Sequence, residues 1–238
     1  MEICMETLLL IINYVGIVSF AAAGAMIAID HETDLFGVVL LSLLTCFGGG
    51  MLRDVIAGQS IGRELPAFFT DMTVEIVLCL VTTVVVFILA AVFKKKYVEK
   101  EAAVDKINNV LDALGIGVFA AAGTGAYLSV SPLVAIVMGL LSSIGGSIIR
   151  DIMLNTVPFV LTKRIYAVAI LIGSSVYYVI AKVLMPDAES SNVIATVACT
   201  AIIFVIRMCA TAFKLNMPKA IRFSELRNEE NDRDMAIK

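Results

Sequence analysis

Long apolar blocks separated by short polar connections make up most of the chain. Seven blocks of about 20 residues each are visible, at residues 6–29, 35–57, 70–93, 107–128, 133–154, 163–185 and 191–213. A 20-residue helix is about 30 Å long, which matches the hydrocarbon core of a bilayer. A helix satisfies its own backbone hydrogen bonds in lipid, and the short alternating segments of a β-barrel are not seen. The pattern predicts an all-α membrane protein with seven transmembrane helices.

Composition supports this prediction and excludes several classes of function. Hydrophobic residues make up 60% of the 238 residues and charged residues only 16%, against roughly 25% charged residues in a soluble domain. The net charge of −3 gives no reason to expect a nucleic-acid partner. The five cysteines and the single histidine lack the spacings of a metal site or a disulfide framework. We therefore expect no metal, no cofactor and no enzymatic activity.

The first six blocks contain an internal repeat. Three motif pairs recur in the same order: FAAAGAMIAI and FAAAGTGAYL from Phe20 and Phe119, GGGMLRDVI and GGSIIRDIM from Gly48 and Gly145, and LPAFFT and VPFVLT from Leu65 and Val157. Each copy holds three spans, and three is odd, so the second copy must enter the membrane from the opposite side. The sequence thus predicts two inverted three-helix repeats plus one extra helix, an arrangement found in many transporters.

Basic residues in the connections predict the orientation. Five lysines lie in the linker at 94–106, and further basic residues follow the fifth and seventh spans: Lys163, Arg164, Lys214, Lys219 and Arg222. All fall on one side if the N-terminus is outside and the C-terminus is cytoplasmic. The predicted division is a first repeat at 1–93, a charged cytoplasmic linker at 94–106, a second inverted repeat at 107–185, the seventh helix at 186–214 and a cytoplasmic tail at 215–238.

The glycine motifs inside the second and fifth spans are the main candidates for function. The first copy has three glycines and the second has two, which forfeits about 3 and about 2 kcal/mol of helix propensity. Small residues let membrane helices pack closely, whereas a break in the helix frees backbone carbonyls to line a pore. The matched copies favour a functional break. The candidate ion path consists of the glycines and nearby hydroxyls: Gly48, Gly49, Gly50, Thr45, Gly145, Gly146, Ser147, Ser142 and Ser143.

An arginine-aspartate pair follows each glycine motif. Arg53-Asp54 and Arg150-Asp151 lie about 25–27 Å along their helices, so the pairs are expected near opposite mouths of a pore. The alternative is an exposed interfacial ion pair, worth about 0–1 kcal/mol.

Three further polar residues lie in the spans. Asp112 and Asn13 are aligned across the repeats and are weaker candidates for the interior. Arg207, near the end of the last span, is expected to extend to the interface.

These motifs carry a family resemblance. Two inverted repeats, a GGGxxRD block, a GGxxxRD block and a seventh helix are similar to the prokaryotic branch of the trimeric intracellular cation (TRIC) channels, also labelled glycine-transporter-like domains. The resemblance covers about residues 7–213 and implies a homotrimer with a pore in each protomer. It further implies K⁺ and Na⁺ permeation, helices 2 and 5 broken at the glycines, membrane lipids as partners or bound ligands, and a prokaryotic inner membrane. The GGS of the second copy departs from the pattern.

Three functions remain open at this stage. The leading hypothesis is a monovalent cation channel, and the runner-up is a secondary transporter of a small solute such as glycine, since inverted repeats suit alternating access equally well. A membrane scaffold without transport is the third.

If the glycines break the helix, Gly49→Leu should abolish conduction with little loss of folded protein.

Overall fold

The fold is described by a computed structural model over residues 2–70, 72–162, 165–186, 188 and 190–213, all of them helical or in connections, with no strand among them. The α-helices are α1 (Glu2–Asp30), α2 (Leu35–Ala57), α3 (Ala67–Thr70), α4 (Thr73–Val92), α5 (Lys94–Glu99), α6 (Glu101–Ala126), α7 (Pro132–Met153), α8 (Phe159–Thr162), α9 (Tyr166–Val179) and α10 (Ser191–Ala212). A 3₁₀ turn at Gly58–Ile61 follows α2, and a π-helical turn at Ile180–Leu184 extends α9.

Seven of these helices are long and apolar enough to cross a membrane: α1, α2, α4, α6, α7, α9 and α10. The predicted all-α fold with seven membrane-length helices is therefore confirmed. The second helix has the predicted bounds because Asp34 caps it, accepting a hydrogen bond from the backbone N–H of Gly37 at 2.8 Å. Pro132 occupies the first turn of α7, after the cap residue Ser131.

The charged linker is more ordered than its composition suggests. Residues 94–99 form α5 and residues 101–106 form the first turns of α6, so the helix of the fourth span begins at Glu101 rather than at residue 107. The Tyr97 hydroxyl donates a hydrogen bond to the Asp30 carboxylate at 3.1 Å, which ties the linker to the end of α1. Burial and the neighbouring Asp30 carboxylate raise the pKa of this hydroxyl, so it stays protonated as the donor.

Equivalent residues of the two repeats meet at the centre of the bundle. The rings of Phe20 and Phe119, which align in the sequence, stack with centroids 5.0 Å apart and an angle of 3° between their planes. Around them, α1 packs against α6 and α2 packs against α7. A contact between aligned residues is expected for side chains that lie close to a pseudo-twofold axis between the repeats.

The seventh membrane helix packs on the second repeat. Helix α10 lies against α6 and α9 and has few contacts with α1. Several basic residues behind the predicted orientation lie outside the described residues, namely Lys163, Arg164, Lys214 and those of the tail at 215–238. The orientation and the domain division therefore stay predictions.

Candidate functional site

The glycine motifs lie where α2 crosses α7, and neither helix is broken there. Both helices run as continuous α-helix through the motifs, so the predicted break is wrong. A Cβ on Gly48 would lie 3.1 Å from the Cα of Gly146, and one on Gly145 would lie 2.9 Å from the Cα of Gly49. The glycines bring two helix backbones into direct contact, which is the packing alternative. Continuous helices also keep their backbone hydrogen bonds, which an apolar environment demands.

The third position of each motif differs from the first two. A Cβ on Gly50 would have only the Arg53 guanidinium near it, at 4.0 Å, so a side chain fits there. The second copy has Ser147 at this position, where its hydroxyl donates to the Ile144 carbonyl oxygen at 3.0 Å. The departure from a triple glycine in the second copy therefore has no packing cost.

The candidate hydroxyls are buried, and most are used within their own helices. Thr45 donates to the Leu41 carbonyl oxygen at 2.7 Å, and Ser143 donates to the Leu140 carbonyl oxygen at 2.9 Å. Ser142 differs, because its Oγ accepts a hydrogen bond from Arg53 Nη1 on the neighbouring helix at 3.1 Å. Whether these groups line an ion path stays a prediction.

Each aspartate of the arginine-aspartate pairs holds the short helix that follows it. Asp54 accepts from the backbone N–H of Ala67 at 2.9 Å, and Asp151 accepts from that of Phe159 at 3.0 Å. These two residues begin α3 and α8, directly after the proline of each repeat, so the carboxylates act as caps for helix starts. The sequence motif gave no sign of this role, because cap and helix are 8 to 13 residues apart.

The arginines are buried beside their aspartates. Arg53 donates through Nε to Asp54 at 2.8 Å, and Arg150 donates through Nε and Nη2 to Asp151 at 2.9 and 2.7 Å. Arg53 is 7% exposed and Arg150 is 1% exposed, so neither pair is an exposed interfacial ion pair. Removal of one partner from a buried pair of this kind strongly destabilises the fold, because the other charge stays buried without its counter-charge.

A polar cavity of about 400 Å³ lies at the Arg150 end of α7. Its polar lining comes mainly from α6, α7, α9 and α10, namely Asp105, Lys106, Asn108, Asn109, Asp112, Arg150, Tyr166, Arg207 and Thr211. Asn13, which aligns with Asp112, is half-buried and is not among the lining residues. Asp112 therefore lines the cavity, whereas its aligned residue Asn13 does not.

Asp112 is the centre of a largely buried ion pair. Its Oδ2 accepts from Arg207 Nη1 and from the Tyr166 hydroxyl, both at 2.8 Å. The Arg207 guanidinium also lies 4.1 Å from the centroid of the Tyr166 ring. Arg207 is only 7% exposed, so the expectation that it extends to the interface is wrong. The signal for this pairing was the presence of one acidic and one basic residue inside two apolar spans.

Three buried polar atoms of the cavity lining have no hydrogen-bond partner among the described residues: Arg150 Nη1, Asn108 Oδ1 and Asp112 Oδ1. One is a donor and two are acceptors, and each has almost no accessible surface. Within the same part of the chain, no cluster of three histidine, cysteine, aspartate or glutamate residues has the geometry of a metal site.

Known proteins share this architecture. A family profile described as Glycine transporter matches residues 10–91 and 109–182, which fall within the two predicted repeats. The chain belongs to this family. The UPF0126 inner membrane protein YadS of Escherichia coli (strain K12) is 29% identical over 210 residues, which is 87% of this chain and 93% of YadS.

Solved relatives of this glycine transporter family member are TRIC channels. One, solved to explain conductance through TRIC cation channels, is 29% identical with a TM-score of 0.74 and covers 89% of this chain and 97% of its own. The TRIC trimeric intracellular cation channel orthologue from Rhodobacter sphaeroides is 27% identical with a TM-score of 0.71, covering 88% and 100%. The resemblance to prokaryotic TRIC channels is confirmed.

Proposed function

We propose that this protein is a subunit of a monovalent cation channel in a prokaryotic inner membrane. The observation that carries the proposal is the likeness to TRIC cation channels, which extends over nearly the whole chain at a TM-score of 0.74. Seven membrane-length helices support a multi-pass membrane protein, and the inner membrane location follows that of YadS. The permeating ions we propose are K⁺ and Na⁺.

The path we propose runs through each protomer. The polar cavity supplies one mouth, and its lining includes Asp112 and Asn108. Beyond it, buried hydroxyls lie on both sides of the glycine contact, including Ser142 and Thr45. Hydroxyl and carboxylate oxygens replace part of the hydration shell of a hard cation. The glycines do not open this path, and they instead fix the spacing of the two helices that border it.

Assembly into a homotrimer is part of the proposal. The R. sphaeroides relative is a trimeric channel. Helix α4 is the least buried of the seven membrane-length helices and exposes valines along its length, which suits contact with lipid or with other subunits. We also propose that the N-terminus is outside and the C-terminus cytoplasmic, on the distribution of basic residues.

Planar-bilayer recording of the purified protein under asymmetric KCl tests the proposal. Unitary currents should appear, with a reversal potential that follows the K⁺ gradient. Asp112→Asn should lower the cation conductance, because it leaves Arg207 unneutralised at the mouth. Glu75→Gln is the matched control, since it also removes one carboxylate but lies on α4 away from the cavity. Absence of currents from folded protein would count against the channel.

A secondary transporter of a small solute such as glycine is the second candidate. The observation in its favour is the cavity, whose lining combines basic and acidic side chains such as Arg150 and Asp112. Gradient-driven, saturable uptake of glycine into proteoliposomes without unitary currents would support it over the channel. Uptake that stays at the level of protein-free liposomes would remove it.

A further inference from the structure

Exposed lysines lie on the connection that borders the polar cavity. We call four of them the lysine face: Lys94, Lys95, Lys100 and Lys106. Lys106 lines the cavity itself. Helix α5 is held nearby, because the Tyr97 hydroxyl donates a hydrogen bond to Asp30, which lies one turn after the lining residue Ile27. The lysine face therefore lies at the entrance where we propose that cations enter.

The charge of these lysines is not balanced by described partners. Residues 94–106 contain five lysines and three acidic residues, a net charge of +2. None of the four lysines of the lysine face makes an ion pair among the described residues, either within the linker or with the acidic connection at 30–34. Positive charge at an entrance lowers the local concentration of cations. A cation path that begins here would benefit from a counter-charge.

The chain beyond α10 contains such a counter-charge. Residues 214–238 lie outside the described residues, and their sequence includes an acidic stretch, EENDRD at 229–234, with four carboxylates and one arginine. The residues before it are mainly basic: Lys214, Lys219, Arg222 and Arg227. An anionic bilayer surface attracts the basic part and repels the acidic stretch. The lysine face, in contrast, has the complementary charge.

The tail also leaves the bundle beside the lysine face. Thr211, in the last turn of α10, lines the cavity and accepts a hydrogen bond from Asn109 of α6 at 3.0 Å. Lys106 lies about 5 Å and Lys100 about 14 Å from Asn109 along the helix axis. The 15 residues at 214–228 separate α10 from the acidic stretch. That length spans about 20 Å as a random coil and about 50 Å when extended, so the stretch reaches the lysine face in either form.

We propose that the acidic stretch 229–234 binds the lysine face of its own chain and cancels its charge at the cavity entrance. Exposed ion pairs are individually weak, but a tether of this length gives an effective concentration in the millimolar range. The effect on ions rests on the proposed channel function, whereas the binding does not. With the stretch bound, cations meet a neutralised entrance, and without it they are repelled.

Zero-length crosslinking of the purified full chain tests the binding. A carbodiimide activates a carboxylate, a lysine amine attacks it, and the amide forms while the carbodiimide takes up the lost water and leaves as a urea. Mass spectrometry of the monomer should find amides between residues 229–234 and the lysine face at about 0.1 M KCl. At about 1 M KCl, where the Debye length falls to about 3 Å, these amides should be several-fold fewer.

Lys182 is the control lysine for this experiment. It is exposed and lies at the far end of α9 from the cavity-lining residue Tyr166. Equal crosslinking of the acidic stretch to Lys182 and to the lysine face would overturn the proposal, as would a lack of amides at the lysine face. Loss of the amides in vesicles that contain anionic lipid would assign the lysines to lipid headgroups and would also overturn it.

Bilayer recordings in zwitterionic lipid test the effect on ions. The variant without the four carboxylates, Glu229→Gln, Glu230→Gln, Asp232→Asn and Asp234→Asn, should lower the K⁺ conductance about twofold at about 0.1 M KCl and not at about 1 M. In a matched background with Lys94→Gln, Lys95→Gln and Lys100→Gln, the same tail changes should have little effect, and an equal loss in both backgrounds would refute neutralisation. Amides without currents support the binding and refute the channel. Currents without amides refute the binding and support the channel.

Discussion

Gly49 lies at one of the two closest backbone approaches of α2 and α7, and alanine at this position should destabilise the protein. A Cβ there would overlap the backbone oxygen of Ser142 and lie 2.9 Å from that of Leu141. A helix backbone cannot move aside as a side chain can, so we expect the upper end of overpacking costs, about 3 kcal/mol. Better helix propensity offsets about 1 kcal/mol of this. The net loss of about 2 kcal/mol would lower the melting temperature by about 4–8 °C.

Gly50→Ala is the control, because the added methyl group meets only the Arg53 guanidinium at 4.0 Å. It gains the same helix propensity without overlap, so its melting temperature should equal or exceed that of the wild type. A thiol-reactive fluorophore can follow unfolding in detergent, since Cys46, Cys79 and Cys199 are buried and the chain lacks tryptophan. If Gly49→Ala melts as high as Gly50→Ala, the backbone contact is not the reason for the glycine. A leucine at position 49 would overlap the same backbone, so Gly49→Leu tests folding as well as conduction.

The same thermal assay tests the buried charges. Asp54→Asn should cost about 3–5 kcal/mol, because it leaves a buried arginine without its counter-charge. Arg63→Gln should cost only about 0–1 kcal/mol, since this side chain is 33% exposed, and equal losses for the two variants would contradict this account. For Asp112→Asn and Arg207→Gln, a double-mutant cycle should give a coupling energy of at least about 1 kcal/mol. A coupling near zero would mean that the two charges act independently.

Helix positions were predictable from the sequence because lipid imposes one simple constraint. An apolar run of about 20 residues must be helical, and caps such as Asp34 mark where it begins. The bounds of α2 follow from these two facts alone. The start of α6 was not predictable in this way, because residues 101–106 include three charged side chains and continue the helix beyond the apolar run.

Whether the glycines break their helices or pack against another helix was not predictable, because the outcome depends on a partner helix that the sequence does not identify. Propensity alone favours a break, since glycine weakens an isolated helix. In the folded protein, Gly49 faces Gly145 from the opposite repeat, and direct backbone contact replaces the missing side chains. The burial of Arg207 was not predictable for the same reason, since its counter-charge Asp112 lies 95 residues earlier in the chain.

The seventh helix supplies the counter-charge for an aspartate of the second repeat that has no charged equivalent in the first repeat. The first repeat has a neutral Asn13 where the second has Asp112, so only the second repeat buries a carboxylate at this position. Among the described residues, its counter-charge comes from Arg207 of α10 and from no residue of a three-helix repeat. Helix α10 packs on the second repeat accordingly. The charge at Asp112 and the extra helix therefore depend on each other. A chain that lost α10 would hold a buried carboxylate without its arginine, at the edge of the cavity where we propose that cations enter.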